Sequence, residues 1–245
     1  MPNPVLTRSF NPEGAQTAQP EIIDAGDRMT MASVVRQTGL LFLILVAAAV
    51  FGWTQAELAT LGPIFWGTLL AALALMIVTI VRPQWVKVTG PLFAVAEGVL
   101  VGAISKVYSD FYDGIVLQAI MATFAVFVAM LFLYANRIIK VTERVRSMVM
   151  LATVGVFVFY LASIVLNLFG VDIPYVWDGG PVSIVLSLVI VGIASFNLLL
   201  DFDTIERGVN AGAPGWMSWF AAFGLMVTVV WLYLEILRLI ALTRD

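Results

Sequence analysis

Seven apolar stretches, each about long enough to cross a lipid bilayer as a helix, dominate the chain. A hydrocarbon core of about 30 Å needs roughly 20 apolar residues in helical form. The stretches are 38–54, 61–81, 90–107, 114–134, 147–169, 181–203 and about 220–242. This pattern predicts an all-α membrane protein with seven transmembrane helices.

The composition agrees with that class and excludes several others. Of the 245 residues, 61% are hydrophobic and 12% are charged, whereas soluble domains carry about 25% charged residues. There are no cysteines and no histidines, so thiolate nucleophiles, imidazole bases and Cys/His zinc sites are excluded. The net charge of -3 argues against a nucleic-acid partner.

Two intramembrane functions that need particular residues also find no support. The aspartyl-protease pairing of a YD motif with a GxGD motif is not found, because the sequence has no GxGD. A retinal Schiff base would need a lysine in the last span, but Lys87, Lys106 and Lys140 all lie elsewhere. We therefore expect neither an enzyme nor a cofactor.

Residues 1–30 contain scattered prolines and polar side chains, with too little periodic apolar surface to fold alone. We predict a disordered cytoplasmic tail over 1–30 and a transmembrane domain over 31–245. Because the first apolar segment starts only near residue 38, a cleaved signal peptide is not expected.

The distribution of Lys and Arg predicts the orientation. Ten of the 13 basic residues fall in the amino-terminal tail and in the second, fourth and sixth connections. They are Arg8, Arg28, Arg36, Arg82, Lys87, Arg137, Lys140, Arg144, Arg146 and Arg207. This bias predicts a multi-pass protein of the cell inner (plasma) membrane, with the amino terminus cytoplasmic and the carboxy terminus outside.

Two glutamates lie close to the middle of predicted spans. A charged side chain at that depth costs about 2.5 to 3.5 kcal/mol on insertion scales, and such residues usually face a partner or a water-filled cavity. Glu97 is either a protonated acid hydrogen-bonded inside the bundle or part of a proton or ion pathway. Glu235 has Arg238 one turn along, so a local structural ion pair is the alternative to a functional role.

The stretch FNLLLDFDTIERGV holds two acids of different kinds. At about 100° per residue, Asp201 and Asp203 point roughly 200° apart, so only one can face the bundle axis. Asn197 shares the face of Asp201, and Asp203 can pair with Arg207 at i,i+4. We predict Asp201 as the interior acid and Asp203 as a solvated cap, with Glu206 also outside.

Two further features concern helix ends and helix packing. Arg82 ends the second span at the predicted depth of Asp201, so it either pairs with that acid or snorkels to headgroups as an ordinary interfacial charge. Gly98 and Gly102 form a GxxxG pattern, which permits close approach of two helices.

Several of these motifs resemble one family. LLLDFDTIERG, followed by WLYLEILRLI, resembles the last two spans of the Bax inhibitor-1 family, and AVAEGVLVGAIS resembles its third span. NPVLTRSF, RMTMASVVRQTGLL and the seven-span layout resemble its bacterial, actinobacterial-type members. The resemblance implies a central seventh helix surrounded by two layers of three helices, and a pH-sensitive calcium leak as the activity.

The resemblance also implies the site residues. In that family an acid of the sixth helix and an acid of the seventh form a carboxyl pair that closes the pore, with an arginine of the second span bridging to it. By motif these residues are Asp201, Glu235 and Arg82. This chain departs from the best-studied members in having glutamate on the seventh helix and a longer connection between the two acids.

The physical consequence of such a pair is a switch. Two carboxyls in a low-dielectric site do not both ionise cheaply, so they share a proton and hold two helices together. Loss of the proton separates them and leaves oxygen ligands suited to calcium. The rival interpretation is a regulatory protein that binds another membrane protein, such as a protease or death-pathway component, and whose carboxyls are purely structural.

Overall fold

The computed structural model describes residues 28–55, 63–169 and 180–244. Residues 1–27 of the predicted tail over 1–30 lie outside the described residues. Seven α-helices occupy the described ranges. They are α1 (Met31–Thr54), α2 (Pro63–Val81), α3 (Val86–Phe111), α4 (Ile115–Ala135), α5 (Glu143–Leu168), α6 (Pro181–Asn210) and α7 (Trp216–Leu242).

The predicted all-helical membrane class is confirmed. Six of the helices are long and apolar enough to cross a membrane, and α2 contributes a shorter apolar helix over Phe65–Val81. Helix α1 begins seven residues before its predicted span. Its start is fixed by a capping box in which Thr30 and Ser33 each accept a hydrogen bond from the other's backbone N–H.

Consecutive helices run in opposite directions, so the bundle has two faces. We call the face at which α1 begins the amino-terminal face, and the face at which α7 ends the carboxy-terminal face. Phe93 of α3 packs edge-on against Phe223 of α7, and Ser105 of α3 hydrogen-bonds Tyr233 of α7 at 2.7 Å. Helices α3 and α7 therefore run parallel, each from the amino-terminal to the carboxy-terminal face.

Helices α1 and α3 pack at backbone distance because of glycines on both. A Cβ added to Gly98 would overlap the carbonyl oxygen of Leu45, and one added to Gly102 would overlap that of Ala49. Gly52 of α1 lies equally close to the backbone of α3. Small residues let transmembrane helices approach this closely and gain dispersion energy, so the GxxxG prediction is confirmed.

Of the six long apolar helices, α7 is the most buried and α5 the least. Helix α7 packs against α1, α3, α4 and α6. Helix α5 packs against α6, and most of its large apolar side chains remain exposed. Helix α5 therefore turns most of its surface outward and contacts the bundle along one narrow side.

The chain just before α1 is attached to the turn between α6 and α7. The Met29 amide donates to the Ala213 carbonyl at 2.7 Å, and the Met29 side chain is 4% exposed, with its sulfur against Gly208. Ser33 adds a 2.7 Å hydrogen bond to Ser218 at the start of α7. Three helix ends are thus joined at the amino-terminal face.

Candidate functional site

A line of polar side chains follows the junction of α5, α6 and α7, and we call it the polar file. Its members on α5 are Arg146, Thr153 and Tyr160, which recur every seven residues. A seven-residue spacing keeps side chains on nearly the same helix face, about 10 Å apart along the axis. The α5 part of the file therefore spans about 20 Å of the membrane thickness.

Each of these α5 residues has a polar partner on a neighbouring helix. Arg146 forms an ion pair with Asp203 of α6. Two turns further along α5, the Thr153 hydroxyl accepts a hydrogen bond from the Asn197 amide of α6 at 2.8 Å. From one pair to the next, the residue number of the α5 partner rises while that of the α6 partner falls, as expected for antiparallel helices. The partners therefore lie in order of depth.

Asp201 lies on the same face of α6 as Asn197, one turn nearer the amino-terminal face. Its carboxyl faces the hydroxyl of Thr228 on α7, which also hydrogen-bonds the Gly224 carbonyl of its own helix at 3.2 Å. The Oδ2 atom of Asp201 is buried and has no hydrogen-bond partner among the described residues. In the same described part of the chain no cation forms an ion pair with Asp201, which is unusual for an acid inside a helix bundle. The interior placement of Asp201 agrees with the sequence analysis.

Glu235 lies deeper, in a cluster that compensates its charge. Its Oε1 accepts a hydrogen bond from the Tyr160 hydroxyl at 2.5 Å, and its Oε2 lies 3.7 Å from the Arg238 guanidinium. Arg238 also donates to the Tyr160 hydroxyl. Glu235 is 5% exposed and Arg238 7%, so this is a buried ion pair completed by a tyrosine. The local Glu235–Arg238 ion pair, one of the two interpretations of this spacing, is present in the structure.

The two acids named by the family resemblance lie at different depths. Thr228, which meets Asp201, and Glu235 share a face of α7 but are seven residues apart, or about 10 Å along the axis. Arg82 is exposed beside the short 3₁₀ helix Pro83–Trp85. Its guanidinium lies 5.0 Å from the centre of the Trp85 ring. Among the described contacts, none joins Arg82 to either acid.

Glu97 lies on a different side of α7 from the polar file. It is half-buried on α3, one turn from Phe93, which packs on Phe223 of α7. Thr228 follows Phe223 by five residues, which places it about 140° further around the helix. The structure therefore separates Glu97 from Asp201 across the width of α7.

The prediction that Asp203 is a solvated cap is wrong. Asp203 pairs with Arg207 at 2.8 Å, as its spacing predicts, but it also pairs with Arg146, and its side chain is only 13% exposed. The sequence pattern located the i,i+4 partner on α6 and could not show that α5 covers the same carboxylate. Asp203 thus forms the end of the polar file at the amino-terminal face.

Glu206 is also bound to neighbouring residues. Its carboxylate accepts hydrogen bonds from Tyr134 of α4 and from Arg137, just beyond α4. The hydrogen bond and the charge of Glu206 raise the pKa of the Arg137 guanidinium. Helix α6 is therefore joined to both α4 and α5 at the amino-terminal face.

Sequence reasoning missed Thr228, Thr153 and Tyr160 as partners in this site. Threonine and tyrosine are ordinary in membrane spans, so none of them stands out alone. The one available signal was the seven-residue recurrence of Arg146, Thr153 and Tyr160 through α5, whose middle part, 148–162, is otherwise apolar.

Comparison with known proteins assigns the chain to a family. In the described parts of the chain, no group of three or more His, Cys, Asp or Glu side chains is placed to hold a metal ion. No curated protein matches the sequence. A family model described as Bax inhibitor 1 like matches residues 3–245. Since the match covers nearly the whole chain, the protein belongs to the Bax inhibitor 1 like family.

Proposed function

We propose that this protein is a pH-sensitive calcium leak whose pathway follows the polar file between α5, α6 and α7. The observation that carries the proposal is the continuity of the file. Polar partners succeed one another over about 20 Å, from the Arg146–Asp203 pair through Thr153–Asn197 to Tyr160–Glu235. Polar groups in a membrane interior generally mark ion or proton pathways.

Asp201 is the proton-sensitive element in this proposal. With its proton in place, the carboxyl is neutral, hydrogen-bonds Thr228 and leaves the helices closely packed. Without the proton, a charge with no neighbouring cation stands in the bundle, and it favours entry of water and a hard cation. The leak is therefore closed at low pH and opens as pH rises.

Glu235 acts separately from Asp201 in this proposal. The resemblance implies a touching carboxyl pair, but the contacts of this chain support two acids in series, with Glu235 balanced by Arg238 and Tyr160. A calcium ion leaving the level of Asp201 would next meet the Glu235 carboxylate. Arg82 and Glu97 have no part in this pathway.

Three broader features complete the proposal. The remaining six helices form the two layers of three around α7, which the burial of α7 supports. The amino-terminal face is cytoplasmic and the carboxy-terminal face is outside, because the loops of the former carry most of the basic residues. The host membrane is the cell inner membrane.

Calcium entry into proteoliposomes loaded with a calcium-sensitive dye tests the function. The measurement compares wild type with Asp201→Asn across a series from mildly acidic to mildly alkaline pH. Asp110→Asn is the matched control, because Asp110 is an exposed acid paired with Lys106 outside the polar file. We expect wild-type and control flux to rise with pH, and Asp201→Asn flux to stay low at every pH.

Two results would contradict the proposal. One is wild-type flux no greater than that of empty liposomes at any pH. The other is an unchanged pH response in Asp201→Asn. Crosslinking in native membranes tests the rival interpretation. If wild type conducts no calcium and a stoichiometric membrane-protein partner is recovered, the regulatory, non-conducting interpretation is favoured.

A further inference from the structure

An apolar groove lies on the side of the bundle away from the polar file. Its walls are α1, from Thr38 to Trp53, and α4, from Val116 to Phe127. Its floor is formed by α3 and α7, whose Ser105 and Tyr233 hydrogen-bond each other. The groove has a volume of about 830 Å³, within the range of pockets that hold drug-sized molecules.

The groove is long enough for an acyl chain of one leaflet. Its α4 wall covers eleven residue steps, or about 17 Å, and its α1 wall covers fifteen, or about 23 Å. Half of the hydrocarbon core is about 15 Å. Most lining residues of α4 lie in the half of that helix nearest the carboxy-terminal face, so this end of the groove opens into the leaflet on that side.

The end of the groove at the carboxy-terminal face differs chemically from the rest. Trp53 lines the groove there, and the ammonium of Lys106 lies 6.0 Å from the centre of the Trp53 ring. Tryptophan is favoured at the level of lipid headgroups. Lys106 pairs with Asp110, but an ammonium has three donors, which leaves capacity to bind a phosphate oxygen.

We propose that this groove binds a single phospholipid, with an acyl chain between α1 and α4 and its phosphate at Lys106 beside Trp53. An apolar groove that ends at an ammonium and a tryptophan favours a molecule with an apolar tail and an anionic head, which is a phospholipid, over an apolar helix of a second copy. The site is separate from the polar file and does not depend on the calcium leak.

Native mass spectrometry tests the site by counting lipids retained after mild detergent extraction. The protein is first exchanged into nanodiscs of equal parts phosphatidylglycerol and phosphatidylcholine. The groove-filling variant is Val46→Trp with Ile120→Trp, two groove-lining residues that are 56% and 52% exposed. The matched control is Val154→Trp with Ile164→Trp on α5, at 56% and 57% exposure.

We expect one retained phospholipid on wild type and control, and at least a tenfold lower retained fraction on the groove-filling variant. Lys106→Gln should lower the preference for phosphatidylglycerol about fivefold, the factor for one basic residue near an anionic headgroup. Equal retention by both double variants would overturn the proposal. An unchanged headgroup preference in Lys106→Gln would overturn the placement of the phosphate.

A second measurement uses the unaltered protein and so does not depend on folding of the variants. A phospholipid with a photoreactive acyl chain is crosslinked in the nanodisc, and the labelled peptides are mapped. Adducts concentrated on the α1 and α4 walls support the site, whereas adducts spread evenly over α5 and α6 overturn it. Val46→Cys chains are also tested for crosslinking to each other, which is readily scored because the chain has no native cysteine. Such crosslinks would show that a second copy occupies the groove, and they would also overturn the proposal.

Discussion

Asp201 of α6 faces Thr228 of α7, and the acid of α7, Glu235, lies two turns away from that contact. A hydroxyl can hydrogen-bond a carboxyl whether or not the carboxyl is ionised. It cannot repel a carboxylate as a second acid would. Among the described residues no cation pairs with Asp201, so the cost of ionising it arises from burial. In the function we propose, proton occupancy at this one residue is therefore the switch.

Thr228→Val tests this contact, since valine keeps the shape of threonine and removes the hydroxyl. We expect a loss of about 1 to 3 kcal/mol in the free energy of unfolding, because a buried carboxyl loses its hydrogen-bond partner. Thr204→Val is the control. Each hydroxyl donates to a carbonyl of its own helix, Thr204 to Leu200 and Thr228 to Gly224, so the difference between the two variants reports the contact with Asp201. Unfolding in detergent titrations measures both, and equal losses would argue against the Asp201 contact.

Tyr160→Phe should destabilise the protein more than Tyr233→Phe. The Tyr160 hydroxyl bonds two charged groups, Glu235 and Arg238, and its loss should cost about 2 to 3 kcal/mol. The Tyr233 hydroxyl bonds the neutral Ser105, and its loss should cost about 1 kcal/mol. Thermal unfolding of the two variants in one detergent gives the comparison, which a reversed order would contradict.

Asp203→Asn should loosen α5 from α6. The substitution removes the carboxylate charge shared by Arg146 and Arg207, and we expect a cost of about 2 kcal/mol, between the values for exposed and fully buried pairs. Glu143→Gln is the control. Glu143 is the other acid bound to Arg207, and the Glu143 side chain is 76% exposed. This substitution should cost less than about 0.5 kcal/mol.

Hydrogen exchange shows where that effect is located. Faster exchange in α5 of Asp203→Asn, with unchanged exchange in α1 and α3, is the expected result. An equally stable protein with unaltered exchange would show that the ion pair does not hold α5 in place.

Gly102→Ala and Gly155→Ala should act in opposite directions. A Cβ on Gly102 would overlap the backbone of α1 at Ala49, whereas one on Gly155 would meet nothing within 4 Å. We expect Gly102→Ala to cost about 3 kcal/mol through forced separation of α1 and α3. Gly155→Ala should be neutral or stabilising by up to about 1 kcal/mol. Midpoints of SDS unfolding decide between these expectations.

The proposed orientation can be tested with single cysteines, since the native chain has none. Gln84 and Asp113 are exposed at opposite faces of the bundle. A membrane-impermeant maleimide applied to intact cells should label Asp113→Cys and leave Gln84→Cys unlabelled until the cells are opened. Labelling of Gln84→Cys alone in intact cells would reverse the assignment.

The sequence by itself determined the class of protein and most helix positions. Long apolar stretches must be helical in lipid because their backbone groups can bond only within the chain. The same local rules predicted the close approach at Gly98 and Gly102 and the pairs of Arg207 with Asp203 and of Arg238 with Glu235. All of these depend on the spacing of residues along one helix, which can be read directly from the sequence.

Only the tertiary structure decided which residue meets which across helices. Spacing within α6 could orient Asp201, but the depth of α7 relative to α6 depends on the length and path of the turn between them and on packing around both helices. That relative depth placed Thr228 opposite Asp201, and Glu235 with Tyr160 of α5. A shift of one helix by two turns leaves every local pattern intact and changes every partner, so the polar file is a property of the packed bundle.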